Sequence, residues 1–385
     1  MMIKTYKYRL YPTETQTKCL EKTFGLCRFL YNSALEERIA YYKKYNKGIS
    51  CFDQYNYLPE IKALFPEYNN IHSQVLQSTL KRLDSSYQGF FRRVKRGEKS
   101  GFPRFKNKDR FHSILYPQSG FGVKDTKSKW THLNLSKVGH IPMLKHRNME
   151  GNLKTCQIIK SSTGKYYACL TCKDVPKEHL AKIGKEIGID LGIKNLIAMS
   201  NGNQINNPKH FKKIHIKLTV AQQRLAKKSF KDSKRKASKL AVARKHEKVI
   251  NQRKDFYHKI SKSLIKDFDI IYVEKLNIKE MKSWRILNQE IQNAPWDQFV
   301  QILFYKAESA DKKVVQVDPR NTSKMCSSCG KLVEKTLSER IHKCECGLEI
   351  DRDHNAAINI YNRGRQSLPR ESRNIPSEIS RSHRL

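Results

Sequence analysis

The chain has 385 residues, with 76 Lys and Arg against 36 Asp and Glu, a formal net charge of +40 and a sequence pI near 9.9. A charge excess of that size points to a polyanionic partner, nucleic acid first, while 38% hydrophobic content with 18 Tyr and 16 Phe excludes wholesale disorder and suffices for two or three domains. No apolar run approaches the ~20 residues of a membrane span, MMIKTYKYRLYP lacks a signal-peptide core, and ten cysteines in the reducing cytoplasm so expected are no disulfide framework.

In chain order, IKTYKYRLYP alternates polar and apolar residues up to Pro12 and is predicted to be a strand. From Thr13 the spacing turns helical through TETQTKCLEKTFGLCRFLYNSALEERIAYYKKYN, with Thr13 or Thr15 as the N-cap, and IHSQVLQSTLKRLDSSYQGFFRRVKRG adds more helix. In KSGFPRFKNKDRFHSILYPQ cations interleave with aromatic residues. Arg104, Phe105 and Lys106 there either stack on bases and pair with phosphates or form an ordinary basic loop anchored by Phe. Short alternating runs between about Leu115 and Val175 read as an antiparallel sheet or small barrel.

A second regime opens at EIGID, a short apolar strand ending at Asp190, with NLIAMS as its hairpin partner. A long proline-free basic stretch, from His210 to about Ser263, is predicted to form two helices whose cationic faces suit a phosphate track, Lys212, Lys213 and Arg253 among them. FDIIYVEKLN is a second apolar strand, with Glu274 at its end, and VVQVDP a third. The tail from 364 is polar and aperiodic and is predicted to be disordered. No internal repeat is present.

Four of the cysteines stand apart. Cys326, Cys329, Cys344 and Cys346 make a C-x2-C and a C-x-C arm, each beside a glycine (Gly330, Gly347), and can close a tetrahedron around Zn²⁺. His342 is a substitute ligand by type, but four thiolates already fill the site and leave no open catalytic position. The metal is therefore expected to be structural, supplying folding energy to a segment with almost no core.

Three acids suggest a second metal. Asp190 and Glu274 each close an apolar strand, and neighbouring strands would bring them side by side. Clustered carboxylates raise one another's pKa unless a cation holds them. Mg²⁺ does so while leaving positions for phosphate, and two such ions support in-line attack of water on a phosphodiester. The third acid is expected in DRDHNAAINI. Asp351 and Asp353 lie about 200° apart around a helix, whereas Asp353, Ala356, Ala357 and Ile360 share one face. The alanines would let that face approach a sheet, with Asp353 at its edge and Asp351 as cap.

GIDLGIKN, the N-x-R-K-D-F-x-H-K run from Asn251 to Lys259, VEKLN, VDPRNTSKMCSSCG, CECG, DRDHNAAINI, YKYRLYPTETQ and GFPRFK together resemble the TnpB (OrfB) proteins of bacterial insertion sequences. These are similar in turn to the type V CRISPR effector nucleases. The resemblance covers nearly the whole chain in the right order. It implies a multidomain α+β and α/β architecture: a small β-barrel (wedge) from 1–12 and 115–183, a helical recognition lobe over 13–114, an RNase H-like (RuvC) nuclease domain from 184–320 and 351–363, and a zinc ribbon at 321–350. It implies Mg²⁺-dependent (or Mn²⁺-dependent), RNA-guided cleavage of double-stranded DNA beside a short transposon-adjacent motif, with a noncoding guide RNA from the transposon end. By motif match Asp190, Glu274 and Asp353 fall on the catalytic carboxylates, and Cys326, Cys329, Cys344 and Cys346 on the zinc positions. A monomer in the bacterial cytoplasm, on the nucleoid when bound to DNA, is expected. The alternatives are a nuclease-silent RNA-guided regulator, against which the three acids argue, and an accessory transposase. The His-hydrophobic-His pair of single-strand transposases is absent, since Ile216 after His215 is followed by Lys217.

Overall fold

The computed structural model describes residues 1–124, 128–192, 195–229, 232–275, 296–336 and 339–369. The chain divides into two compact units, Met1–Pro176 and Lys177–Leu385. Residues 177–183, expected with the barrel, thus group with the second unit.

In the first unit β1 (Met2–Leu10) buries Tyr6, Tyr8 and Leu10 at alternate positions, as a strand with one face on a core must. Four helices follow: α1 (Glu14–Tyr45), α2 (Cys51–Asn56), α3 (Leu58–Leu64) and α4 (Ser73–Lys95). Of the two candidate caps, Thr13 starts α1. Its hydroxyl accepts from the Gln16 N–H at 3.3 Å while Gln16 Oε1 accepts from the Thr13 N–H at 3.0 Å, a reciprocal capping box. Strands β2 (Ser113–Tyr116), β3 (Phe121–Lys124), β4 (Trp130–Leu135), β5 (Gly139–Leu144), β6 (Asn152–Lys160) and β7 (Tyr166–Val175) complete an antiparallel sheet in the order β2-β6-β7-β1-β5-β4-β3. One core joins this sheet to α1 and α4. β2 pairs only with β6 and β3 only with β4, and among the described residues no pairing between these two edge strands closes the expected barrel.

The second unit opens with β8 (Glu186–Asp190), β9 (Asn195–Met199) and β10 (Gln204–Asn206), then α5 (Lys209–Ala226) and α6 (Arg235–Asp267), the two basic helices. After β11 (Ile270–Glu274) comes α7 (Trp296–Ser309), a helix that the sequence reading did not separate from its surroundings. Next are β12 (Lys313–Val317), β13 (Ile341–Lys343), β14 (Glu349–Asp351) and α8 (Arg352–Ser367). Thus α8 runs four residues past 363, and the predicted disorder does not hold for 364–367, because Gly364 and its neighbours pack on the sheet. The rest of that tail, 370–385, lies outside the described residues. No helix among the described residues is long and apolar enough to cross a membrane.

The sheet order is β10-β9-β8-β11-β12, with β9 antiparallel to β8 and β8, β11 and β12 parallel. Strand alternation gives its two faces different jobs. Ile187, Ile189, Ile271 and Val273 point into the larger core with α6 and α7. Ile270 and Tyr272, with Val317, meet Ile360 of α8 on the other. Gly188 and Gly364 bring α8 close. A Cβ at Gly188 would lie 2.4 Å from the Ala357 carbonyl oxygen and 2.7 Å from the Tyr361 nitrogen, and one at Gly364 would lie 2.0 Å from Tyr272 Cδ1. Backbone cannot yield as a side chain does. Gly188→Ala is therefore expected to destabilise the second unit by at least about 1–3 kcal/mol and to push Asp353 away from the sheet, measured by thermal unfolding together with cleavage.

Candidate active site and cysteine centre

Asp190 and Glu274 stand at the C-terminal ends of adjacent parallel strands. The register pairs Val273 with Ile189 and Tyr272 with Gly188, so both acids fall on the face that carries α8. The helix repeats that register in its own spacing. Ala357 and Tyr361 sit over Gly188, and Arg365, one turn on, pairs with Glu186 at 3.2 Å. In the opposite direction, four helix residues back to Asp353 rise about 6 Å, and two strand residues forward to Asp190 advance about 6.6 Å. The two steps match, and Asp353 arrives beside Asp190. A Cβ on Gly192 would be in ordinary contact with Asp353 Oδ2 at 3.7 Å but only 2.8 Å from the Asn195 carbonyl oxygen, so the backbone there requires glycine.

The electrostatics agree with the register. Burial holds the Asp190 carboxyl well above the usual range, and the Glu274 and Asp353 charges push it further, against the Leu191 N–H and Arg352. Burial likewise raises Glu274, opposed by a hydrogen bond from Thr322 and by the charge of Arg363. All three acids remain half-exposed, so dense protein surrounds them without sealing them from solvent. Among the described residues no Lys or Arg forms an ion pair with Asp190 or Glu274, in a chain with a net +40. That is the charge imbalance a divalent cation would relieve, and the donor set fits Mg²⁺ or Mn²⁺.

Asp351 does something else. Its Oδ1 accepts the N–H groups of Asp353 at 2.9 Å and His354 at 3.1 Å, capping α8. Asp351→Ala is expected to cost about 1 kcal/mol of stability, as lost caps do, with cleavage largely retained. A cleavage loss equal to that of Asp353→Ala would reverse the assignment of the two aspartates.

The four cysteine sulfurs lie within 4.8 Å of one another, with Cys326 to Cys346 and Cys329 to Cys344 both at 3.6 Å. Disulfides would need about 2.05 Å, whereas Zn–S bonds of about 2.3 Å in a tetrahedron place sulfurs roughly 3.8 Å apart. Two similar turns build the pair of arms: Gly330 N–H bonds the Cys326 carbonyl at 2.9 Å and Gly347 N–H the Cys344 carbonyl at 3.0 Å. Both glycines have positive φ, 78° and 87°, which L side chains rarely adopt. Burial opposes ionisation of Cys326, but the Cys329 and Ser328 N–H groups, His342 and Cys346 bring its thiol down to about 6. Cys344 rises to about 12 as the neighbouring sulfurs outweigh the Cys346 N–H. Cys326 and Cys344 are thus pushed in opposite directions by the sulfurs and N–H groups around them. His342 is fully buried beside this cluster, and its Nδ1 accepts from Lys335. It supports Cys326 and does not replace a cysteine.

The basic candidates divide. Arg104 and Phe105 are exposed, the latter 52%. Lys106 is half-buried, its backbone gripped by Asn32 at 2.8 and 3.0 Å and its ammonium over the Tyr31 ring. Lys212 and Lys213 have side chains outside the described residues. Arg253 is half-buried on α6, and burial lowers its pKa, so it is held partly against the protein and not presented wholly to solvent.

Sequence reasoning missed a set of side chains on α8. Asn355 Nδ2 donates to the Met325 carbonyl at 2.8 Å, and Asn359 Nδ2 to the carbonyls of Met325 at 2.6 Å and Thr322 at 2.9 Å. Arg363 donates to those of Asp318 at 2.5 Å and Arg320 at 2.9 Å. The Ser327 N–H returns a bond to Asn355 Oδ1 at 3.0 Å. The available signal was the four-residue spacing of Asn355, Asn359 and Arg363, one polar stripe on a helix otherwise read for its acids.

Three family profiles match this chain in sequence order: a helix-turn-helix domain of the OrfB_IS605 type over 1–47, OrfB_IS605, described as "Probable transposase", over 169–285, and a Cas12f1-like TNB domain over 296–360. In this chain the first stretch is one strand and a single 32-residue helix. A protein of Streptomyces pristinaespiralis, provisionally named an RNA-guided DNA endonuclease, is 29% identical over 369 residues, 94% of this chain and 89% of that protein. The Escherichia coli K12 protein InsQ, provisionally named in the same way, is 27% identical over 385 residues, 95% and 93% of the two chains. The solved structure of the mini-RNA-guided endonuclease CRISPR-Cas_phi3 shares the fold, with a TM-score of 0.54 at 8% identity over 96% of this chain and 93% of that one. The chain therefore has a multidomain α+β fold of the kind found in that nuclease. It is similar to the TnpB (OrfB) proteins and, over part of its length, to the type V CRISPR effector Cas12f1.

Proposed function

We propose that this protein is a transposon-associated, RNA-guided DNA endonuclease that hydrolyses phosphodiesters of double-stranded target DNA beside a short adjacent motif. The observation that carries the reading is that Asp190 has both Glu274 and Asp353 as charge neighbours at one end of a sheet in a strongly basic chain. Asp190, Glu274 and Asp353 would hold Mg²⁺ or Mn²⁺. The bound ions would supply charge neutralisation at the phosphate and activation of water. The rigid strand ends and the helix fix the carboxylates, while their exposed edges leave room for a DNA strand. An antiparallel hairpin followed by parallel strands, with α8 across one face, supports an RNase H-like (RuvC) assignment. The sulfur tetrad supports an inserted zinc ribbon with a structural ion, and the antiparallel unit with its helices supports a wedge with a recognition lobe.

Base pairing by a noncoding guide RNA from the transposon end would carry sequence specificity, and the protein would supply cationic surface for the heteroduplex backbone. A monomer in the cytoplasm, on the nucleoid when engaged, fits this role. The test is to purify the chain from cells carrying its locus, sequence the copurifying RNA and add Mg²⁺ with matching DNA. One discrete structured RNA and cleavage of its matching target are expected, with binding that weakens steeply as salt rises. Random cellular RNA and no guided cleavage would overturn the reading.

A further inference from the structure

The polar stripe of α8 ends where the acids begin. Segment 318–325 leaves β12, passes Glu274 and runs directly into Cys326. It is built of hydrogen-bonded turns with a single bridge from Met325 to Leu332, and its carbonyls are held from α8 by Asn355, Asn359 and Arg363. Asn355 and Asn359 are 0% and 1% exposed, so these bonds form without competing water. Within the segment, Thr322 is 4% exposed and its hydroxyl lies within hydrogen-bond reach of both Glu274 Oε1 and the Pro319 carbonyl. One hydroxyl hydrogen serves one strong acceptor. In the ionised form that a cation requires, the Glu274 carboxylate takes it, because a bond to charge is about twice as strong as a neutral one.

We propose that Thr322 is a positioning residue that orients the Glu274 carboxylate for divalent ions, and that Asn355, Asn359 and Arg363 hold Thr322 in place. The inference rests on the reading of Asp190, Glu274 and Asp353 as a divalent-ion site. It joins the two metal centres mechanically: the backbone that Asn355 and Asn359 grip at Met325 and Ser327 flanks the first cysteine. The cysteine cluster thereby anchors one end of the segment that aims Glu274, and β12 anchors the other.

The test measures Mn²⁺ binding by electron paramagnetic resonance on the full, zinc-loaded chain, with zinc content and thermal midpoint recorded for every variant. Thr322→Val removes the hydroxyl at nearly constant shape and is expected to weaken Mn²⁺ binding about tenfold, the lower end for partners that orient a metal ligand. Zinc content should stay at the wild-type level, and Thr322→Ser should restore the affinity. Should the valine variant fail to fold, Thr322→Ala makes the same comparison without a new contact. Asn359→Ala should weaken Mn²⁺ as well, and the double variant with Thr322→Val should be little worse than the poorer single, since both act through one path. Wild-type affinity in Thr322→Val, a serine variant as weak as valine, or fully multiplicative losses would each overturn the proposal while leaving the acid site standing. Equal Mn²⁺ binding by wild type and Asp190→Asn would instead remove the acid site itself, and the proposal with it.

Discussion

Asp190→Asn is expected to lower guided DNA cleavage by about three orders of magnitude, the scale of removing a group that stabilises transition-state charge. Target binding should persist, because recognition would lie in base pairing and cationic surface. Glu274→Gln and Asp353→Asn should behave alike, since each acid contributes to one charge cluster. Full cleavage by any of the three would take that residue out of the mechanism.

The same substitution should act on stability in the opposite direction. Burial and the two neighbouring acids raise the folded-state pKa of Asp190, and burial raises that of Glu274. Below the unfolded-state value, about 4, these groups are neutral in both states and nothing is lost. As pH rises above that value the unfolded chain ionises first, so stability falls until pH passes the raised folded value. Zinc-loaded protein without Mg²⁺ should therefore be more stable at pH 5 than at pH 8. Asp190→Asn should flatten that slope and raise the midpoint at pH 8, by about 2–4 °C for each kcal/mol recovered. Added Mg²⁺ should stabilise the wild type and not the variant. A pH profile unchanged by Asp190→Asn would contradict the assigned environment.

The other large effect concerns the cysteines. Cys326→Ser is expected to lose the single bound zinc and unfold the 324–351 segment, because structural zinc supplies roughly 10 kcal/mol or more in small domains of this type. Cys326 is 1% exposed, and nearby N–H groups, His342 and Cys346 bring its thiol down to about 6 despite its burial, so serine, a poor zinc ligand, removes a well-supported anchor. Metal analysis and hydrogen exchange check this: amides of Gly330 and Gly347, bonded to the Cys326 and Cys344 carbonyls, should lose protection before the β8–β11 sheet. A wild-type protein without zinc, or a serine variant with full zinc, would end the assignment.

How much of this was legible in the chain depended on the range of the interaction. Periodicity located β8, β11 and β12, and separated Asp353 from Asp351, because a helix places residues by a fixed angle whatever lies around it. The cysteine arms were legible from spacing and flanking glycines, which local turn geometry dictates. Segment 318–325 was not, because its carbonyls are held by side chains of α8 thirty or more residues away. Arg253 likewise looked like one more cation in a basic run, and only packing on α6 showed it half-buried.

The sequence by itself determined which residues could do chemistry: three acids at element ends, four cysteines in two arms and a cationic surround. Those properties follow from residue type and short-range spacing, and the order of the motifs carries the resemblance to the TnpB (OrfB) proteins. The tertiary structure alone decided that Gly188 and Gly364 let α8 approach, that the first sheet stays open among the described residues, and that Thr322 aims at Glu274. These are outcomes of close packing and strand pairing between distant segments, where tenths of an ångström set the energy and no local pattern carries the information.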